Sequence, residues 1–342
     1  MTSDFAHGGV SDSISVTDSW VCLHSPDNSV KLANSANNVG LTLDNRGLTY
    51  ADGFFTTMGV VDGLILWQDY HHQRLISHGQ ALQLDIDDQA VLWSLQMHAQ
   101  QLQQGMLKLI VTRAPQAIRG YGFTPSASGS ACEVWLKSSA LLIATAEHLR
   151  LPDGRAVLIQ PTAPAICLSA QLACLPPPLA GLKSLNRLDN VLASGELQRI
   201  KTAQSNTGTK GGKGLGEGLL RDMTGSWVEG TMSNVFYQLS DAQFPNESQP
   251  LLNINSSDDA NANYLLNGQW FTPPMTQSGV AGVMRQVIID ALSKAEHPVQ
   301  MRALNDEDLP NMSQMFFCNA LRGVMPVSEL SLPVGDSVCF SI

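Results

Sequence analysis

Three short stretches of the chain hold residues whose types and spacing suit chemistry. In Leu179-Ala-Gly-Leu-Lys-Ser-Leu-Asn-Arg187 a lone lysine, Lys183, stands among small and apolar residues at the entrance to an apolar-periodic segment. Burial disfavours its charged form, and a neutral amine is the nucleophile that Schiff-base chemistry requires. An exposed lysine at a helix start has the same spelling. In Trp227-Val-Glu-Gly-Thr-Met-Ser-Asn-Val-Phe236 an acidic residue, Glu229, ends an apolar strand before a turn of small residues. A carboxylate so placed is a plain turn residue, or it keeps a proton on the ring nitrogen of an electron-accepting cofactor. In Ser278-Gly-Val-Ala-Gly-Val-Met-Arg285 a small-residue turn opens a helix, where free N–H groups and the positive helix end attract phosphate. A generic glycine-containing helix start looks the same, so no stretch is specific when taken alone.

The hydrophobic pattern supplies elements to position them. Gly53–Val61, aromatic and β-branched, predicts a strand, and Asp62-Gly63 is a hairpin signal leading into a second strand through Leu64, Leu66 and Trp67. From His71 the spacing of Leu75, Ile76 and Leu82 turns helical. Strands are expected at Leu107–Thr112 and Ala131–Lys137, joined by a Gly/Ser-rich loop, which makes residues 41–146 a small α+β unit. The polar stretch Glu147–Gly154 predicts a boundary to a larger unit, 147–342. That unit should hold a strand at Val157–Pro161 and strands on both sides of Glu229. It should also hold a helix at Ala281–Ala295 and an amphipathic helix at Leu185–Ile200. The apolar face of the latter is Leu185, Leu188, Val191, Leu192 and Ile200, with Leu197 off it. Residues 1–40 form an extension with one strand, Trp20–His24. Two stretches, 204–218 and 240–268, are expected to be inserted surface loops. The first contains Lys210-Gly-Gly-Lys-Gly214, but no Ser or Thr follows Lys213 and no apolar strand precedes it, so it is not a phosphate loop.

Composition narrows the partners. Of 342 residues 44% are hydrophobic and 15% charged, against a usual charged share of roughly 25%, which disfavours long disorder and coiled coil. A formal charge of -10 repels phosphate backbones and anionic membrane surfaces, so neither nucleic acid nor membrane is an expected partner. No stretch approaches the ~18 apolar residues of a membrane span, and the polar amino terminus does not resemble a secretory signal. The six cysteines include no CxxC pair and read as buried thiols of a reducing compartment. A soluble cytoplasmic protein is the expectation.

The three stretches together, with Trp270-Phe-Thr272, Asn45-Arg-Gly-Leu-Thr-Tyr-Ala-Asp-Gly-Phe-Phe-Thr-Thr57 and His71-His-Gln-Arg-Leu75, resemble the class IV aminotransferase family of pyridoxal-phosphate enzymes from Leu41 to Val327. The resemblance implies a two-domain fold-type IV architecture, α/β and α+β, with the active site in the interdomain cleft of a homodimer. It implies that Lys183 holds pyridoxal phosphate and serves as proton-transfer base, that Glu229 faces the pyridine nitrogen, and that Arg74 binds the phosphate. The backbone N–H groups of Val283 and Met284 and the Thr272 hydroxyl would assist Arg74, and no metal is implied. Within the family, Lys-x-Leu-Asn-Arg-Leu-Asp, Arg119-Gly-Tyr-Gly122 and the Phe317–Val327 stretch are spelled most like its aminodeoxychorismate lyase branch. A D-amino-acid or branched-chain transaminase on the same scaffold is the alternative. A substrate with two carboxylates would call on Arg119, Arg46, Thr57 and Asn319, although Arg119 equally suits a loop-holding role. His71 and His72 read as capping or surface residues, and the Cys and Met residues as core. The extension and both inserts are atypical of the family.

Overall fold

The computed structural model describes residues 20–26, 41–124, 126–143, 147–206, 214–240 and 268–340. Most of the extension, the run from Lys210 to Lys213 and nearly all of the 240–268 insert lie outside the described residues. In chain order the first elements are β1 (Trp20–His24), α1 (Arg46–Tyr50), β2 (Gly53–Val61), β3 (Leu64–Ile65), α2 (Gln68–Ala81), β4 (Leu84–Asp85), α3 (Asp88–Leu102), β5 (Gly105–Arg113) and β6 (Ser130–Ala140). Their strands form one sheet in the order β1-β6-β5-β2-β3, with β4 parallel to β6. Because side chains alternate along a strand, Phe54, Met58 and Val60 of β2 enter a core with Leu75 of α2 and Val91, Leu95 and Ala99 of α3. Phe55 and Thr57 therefore face the opposite side. Asp62 and Gly63, with φ of 51° and 72°, make the tight turn. The expected second strand is cut to β3, because α2 begins at Gln68.

The remaining elements are β7 (Glu147–Arg150), β8 (Ala156–Ile159), β9 (Ala163–Leu172), α4 (Leu188–Asn206), β10 (Glu217–Asp222), β11 (Trp227–Gly230), β12 (Asn234–Leu239), β13 (Phe271–Thr272), α5 (Val283–Ala291), β14 (Gln300–Met301), β15 (Met312–Asn319), β16 (Gly323–Ser331) and β17 (Ser337–Cys339). They build an 11-stranded sheet whose path closes through β12, β11, β10, β9, β16 and β15 back to β12. Val235 and Tyr237 face one core with Leu219, Trp227 and Phe317. Their neighbour Phe236 faces the other side and stacks on Phe316 beneath Met284, Val287 and Ile288 of α5. The polar segment beginning at Glu147 is itself strand and turn, with β7 paired to β8.

One helix differs from its sequence reading in start and in face. α4 begins at Leu188 because the preceding residues are drawn onto β2: Phe55 N–H donates to the Lys183 carbonyl at 3.1 Å, and Leu185 N–H to that of Gly53 at 3.0 Å. Its buried side is Ala193 and Leu197, with Ile200 partly buried, a second stripe of helical spacing whose small alanine permits close approach to the sheet. Leu188, Val191 and Leu192, expected inside, are 71%, 61% and 70% exposed. The cysteines are all free, as expected, but Cys174 and Cys339 are exposed, and so are Met97, Met223, Met232 and Met301. No described helix is long and apolar enough to cross a membrane.

Candidate active site

The segment carrying Lys183 pairs with β2 on one side and with the turn at Val280 and Ala281, just before α5, on the other. Gly181, at φ 77°, turns the chain where a Cβ would stand 2.9 Å from the Met275 carbonyl oxygen. The Lys183 carbonyl is held by β2, and its backbone N–H donates to Nε2 of His78 on α2 at 3.0 Å. The side chain enters a cavity of about 460 Å³ that Arg74, Glu229, Phe55 and Thr57 also line. Its Nζ lies 4.6 Å from the centre of the Phe55 ring and has no hydrogen-bond or ion-pair partner among the described residues. Burial lowers the amine's pKa, and the nearby Arg74 charge lowers it further, while Glu229 pulls the other way.

Glu229 is the penultimate residue of β11 and is fixed from three sides. Its Oε2 accepts the Val280 N–H at 2.8 Å and the Asn234 amide at 3.4 Å, and Oε1 accepts the Asn190 amide at 3.4 Å. Val280 can come this close because Gly279, at φ 74°, has no side chain, and a Cβ there would stand 2.7 Å from Met275 Sδ. Burial raises the carboxyl pKa, and the Val280 N–H and the Arg187 and Lys183 charges oppose the rise. The turn that follows is pinned by the buried Glu217, which accepts from Thr231 N–H at 3.1 Å and from the Ser233 hydroxyl at 2.8 Å.

Arg74 is buried on α2. Its Nη2 donates to the Ala281 carbonyl at 2.7 Å and its Nη1 to the Thr56 hydroxyl at 3.3 Å. Burial brings its pKa down to about 10. The start of α5 lies at the same wall: Gly282 and Val283 line the cavity, and no side chain caps the helix. A side chain at Gly282 would collide with the Asn234 amide. His71, expected at the surface, is buried and bonded through Nδ1 to Thr56 at 2.8 Å, whereas His72 pairs with Asp88.

The other candidates separate. Thr57 and Asn319 line the cavity, though Asn319 Oδ1 is occupied by the N–H groups of Leu321 and Arg322. Three expectations are corrected. Thr272 lies outside the lining: its hydroxyl donates to the Val235 carbonyl at 2.9 Å and accepts from Arg285 Nε at 3.1 Å. Met284, expected through its backbone N–H, is not one of these: its side chain is core and its N–H belongs to the uncapped first turn of α5. Arg46 is buried away from the cavity, bonded to Asp52 and to the Gly120 and Tyr121 carbonyls. Arg119 is exposed on its loop and does not line the cavity.

A family model described as amino-transferase class IV matches residues 53–330. The chain belongs to the class IV aminotransferases. Two curated relatives span most of it: the aminodeoxychorismate lyase of Vibrio harveyi, 26% identical over 85% of this chain and 88% of its own, and a protein of Methanocaldococcus jannaschii with the provisional name branched-chain-amino-acid aminotransferase, 25% identical over 84% and 81%. Among solved structures, the 4-amino-4-deoxychorismate lyase of Pseudomonas aeruginosa aligns with a TM-score of 0.61 at 27% identity, covering 87% of this chain and 91% of that one.

Class IV aminotransferases use pyridoxal phosphate, and this cavity fits it. It offers an unpartnered amine, a buried carboxylate approached by backbone and amide N–H groups, and a buried arginine beside an uncapped helix start. Four residues at this class IV site escaped the sequence reading. His78 lies four residues after Arg74 on α2, a helical spacing that would have found it. Asn190 and Arg187 follow Lys183 closely; Arg187, half-buried in the cavity wall, bonds to the Leu182 carbonyl at 2.9 Å and to Asn190 Oδ1 at 3.4 Å. Lys108 pairs with Thr57 across β2 and β5, and its ammonium lies 5.4 Å from the centre of the Phe55 ring. Only the strand register shows that neighbourhood.

Proposed function

We propose that this class IV enzyme is an aminodeoxychorismate lyase, converting 4-amino-4-deoxychorismate to 4-aminobenzoate and pyruvate in the cytoplasm, as a homodimer. The observation that carries the reading is a surplus of positive charge at the cavity. Besides Arg74 and Lys183, two further cations, Arg187 and Lys108, stand at or beside it without an ion-paired carboxylate among the described residues. Among the described residues Glu229 is the one acidic member of the lining. A substrate with two carboxylates matches that field, whereas a branched-chain amino acid brings one carboxylate and an apolar side chain. The spelling around Lys183 and the likeness to two lyases over most of the chain support the same choice.

The roles follow from position. Lys183 is the attachment residue and, once displaced by the substrate's amine, the base that takes the proton from the carbon bearing that amine. Desolvation, which favours the neutral form of its amine, suits both tasks. Arg74 and the N–H groups at the start of α5, those of Val283 and Met284, take the phosphate. Glu229 would face the ring nitrogen, and the Val280 N–H, the Arg187 charge and the Asn190 amide favour its ionised form against the burial that raises its pKa. Pyridoxal phosphate, when bound, supplies the electron sink that makes that carbon acidic and lets the enolpyruvyl oxygen leave. Thr57 and Asn319 border the space left for the substrate, and Lys108 stands beside it, its ammonium 5.4 Å from the centre of the Phe55 ring. The exposed stripe of Leu188, Val191 and Leu192, together with Met232 at the cavity wall, is the surface a second copy would cover.

The deciding experiment gives purified enzyme aminodeoxychorismate with no amino acceptor. Equal release of 4-aminobenzoate and pyruvate supports the lyase. No release, with turnover of D-alanine or a branched-chain amino acid against 2-oxoglutarate, establishes the transaminase instead.

A further inference from the structure

The face of α2 toward the cavity carries more than Arg74. His78 sits one turn further along, 5% exposed, with its ring edge-on to Phe54 at 5.2 Å. Its Nε2 accepts the backbone N–H of Lys183 at 3.0 Å, so the ring proton resides on Nδ1. Nδ1 lies 3.3 Å from the Ser77 hydroxyl oxygen, and that hydroxyl donates to the Arg74 carbonyl at 3.3 Å. The donors and acceptors therefore run in one direction, from the Lys183 backbone through His78 and Ser77 to the backbone of Arg74. Burial, reinforced by the charges of Arg74, Lys183 and Arg187, pushes the imidazole down to about 3 and keeps it a neutral acceptor. The Lys183 carbonyl and the Leu185 N–H are already held by β2. His78 satisfies the one backbone group of Lys183 that the strand leaves over.

We propose that His78 is a positioning residue that fixes the Lys183 backbone relative to Arg74, so that a single rigid helix sets the spacing between the attachment amine and the phosphate-binding guanidinium. The inference rests on Lys183 being the attachment residue. It predicts an effect on capture of the cofactor that packing alone would not produce. An acceptor of similar reach should restore the function, because Gln places its Oε1 near the site of the imidazole Nε2, whereas Leu fills the space and leaves the N–H unpaired.

The test strips the full chain of cofactor, adds pyridoxal phosphate, quenches with borohydride at intervals and maps the reduced adduct by peptide mass spectrometry. The expected result is capture at Lys183 about 10-fold slower in His78→Leu and within about 3-fold of wild type in His78→Gln. Ser77→Ala releases the tautomer without emptying the site, and its capture should slow measurably; this variant decides the matter if His78→Leu does not fold. Leu and Gln variants that both capture at the wild-type rate, or that slow equally, overturn the proposal, as does Ser77→Ala at the wild-type rate if His78→Leu is lost. An adduct on another lysine in the wild-type protein refutes the assignment of Lys183 instead, so the two failures are distinct.

Discussion

Two buried arginine clusters lie on the same small sheet and its helices, and they are built differently. Around Asp52, Arg46 and Arg113 each place Nε 2.9 Å from one carboxylate oxygen, and their remaining donors go to backbone carbonyls: Gly120 and Tyr121 for Arg46, Leu82 and Gln83 for Arg113. Around Arg74 no carboxylate is within ion-pair distance among the described residues; its partners are one carbonyl and one hydroxyl, and its neighbours are two neutral histidines and a lysine. A buried cation matched by an anion from its own chain is structure. A buried cation without one leaves charge to be met by a ligand, and its desolvation is offset only when that ligand binds.

Substitutions at the two clusters should therefore fail in different currencies. The largest effect is expected at Lys183→Ala, which should lose the borohydride-fixed adduct and at least about 10⁴-fold in turnover. Arg74→Gln should weaken cofactor binding by about 100-fold, the cost of truncating one side of a buried charge pair, as read by titration of the visible absorbance. Asp52→Asn should do the reverse: about 3 kcal/mol lost in a denaturant melt, with cofactor affinity within about 3-fold of wild type. Equal effects of the two on both readouts would erase the distinction. Lys108→Gln, at the substrate end, should raise KM about 10-fold with kcat little changed, because it removes a uniform binding charge.

The smallest effect concerns acid. The unfolded chain binds a proton at His78 near pH 6.5 and the folded chain only near 3. Between those values the unfolded state holds the extra proton, so stability falls as pH falls. The contribution approaches about 1.4 kcal/mol per pH unit. His78→Gln should flatten the stability curve of wild type by up to that slope between pH 6 and 4. Unchanged curvature would mean that the imidazole is protonated or solvated in the fold.

Much of this was legible beforehand where local spelling decides the outcome. β2 was read with its observed ends, since aromatic and β-branched residues run up to an Asp-Gly turn, and Lys183, Glu229 and Arg74 do meet at one cavity. What escaped depends on tertiary choice. α4 has two stripes of helical spacing, and the sheet selected the one with the small Ala193, leaving Leu188 and Leu192 outside. Arg46 looked available to a ligand, but Asp52, six residues on, takes it. Lys108 becomes a neighbour of Thr57 only through strand register, which one sequence does not specify. His71 reads as a surface or capping residue because its partner, Thr56, comes from another element. Thr272 carries a hydroxyl at the expected place, yet it is consumed by the Val235 carbonyl of the adjacent strand.

The most direct test of the account is where the cofactor attaches. Purified protein loaded with pyridoxal phosphate, reduced with borohydride and digested should carry the added pyridoxyl mass on the peptide containing Lys183, with loss of visible absorbance in equal amount. The same mass on a peptide bearing Lys108 or Lys201, or no adduct at saturating cofactor, would contradict it.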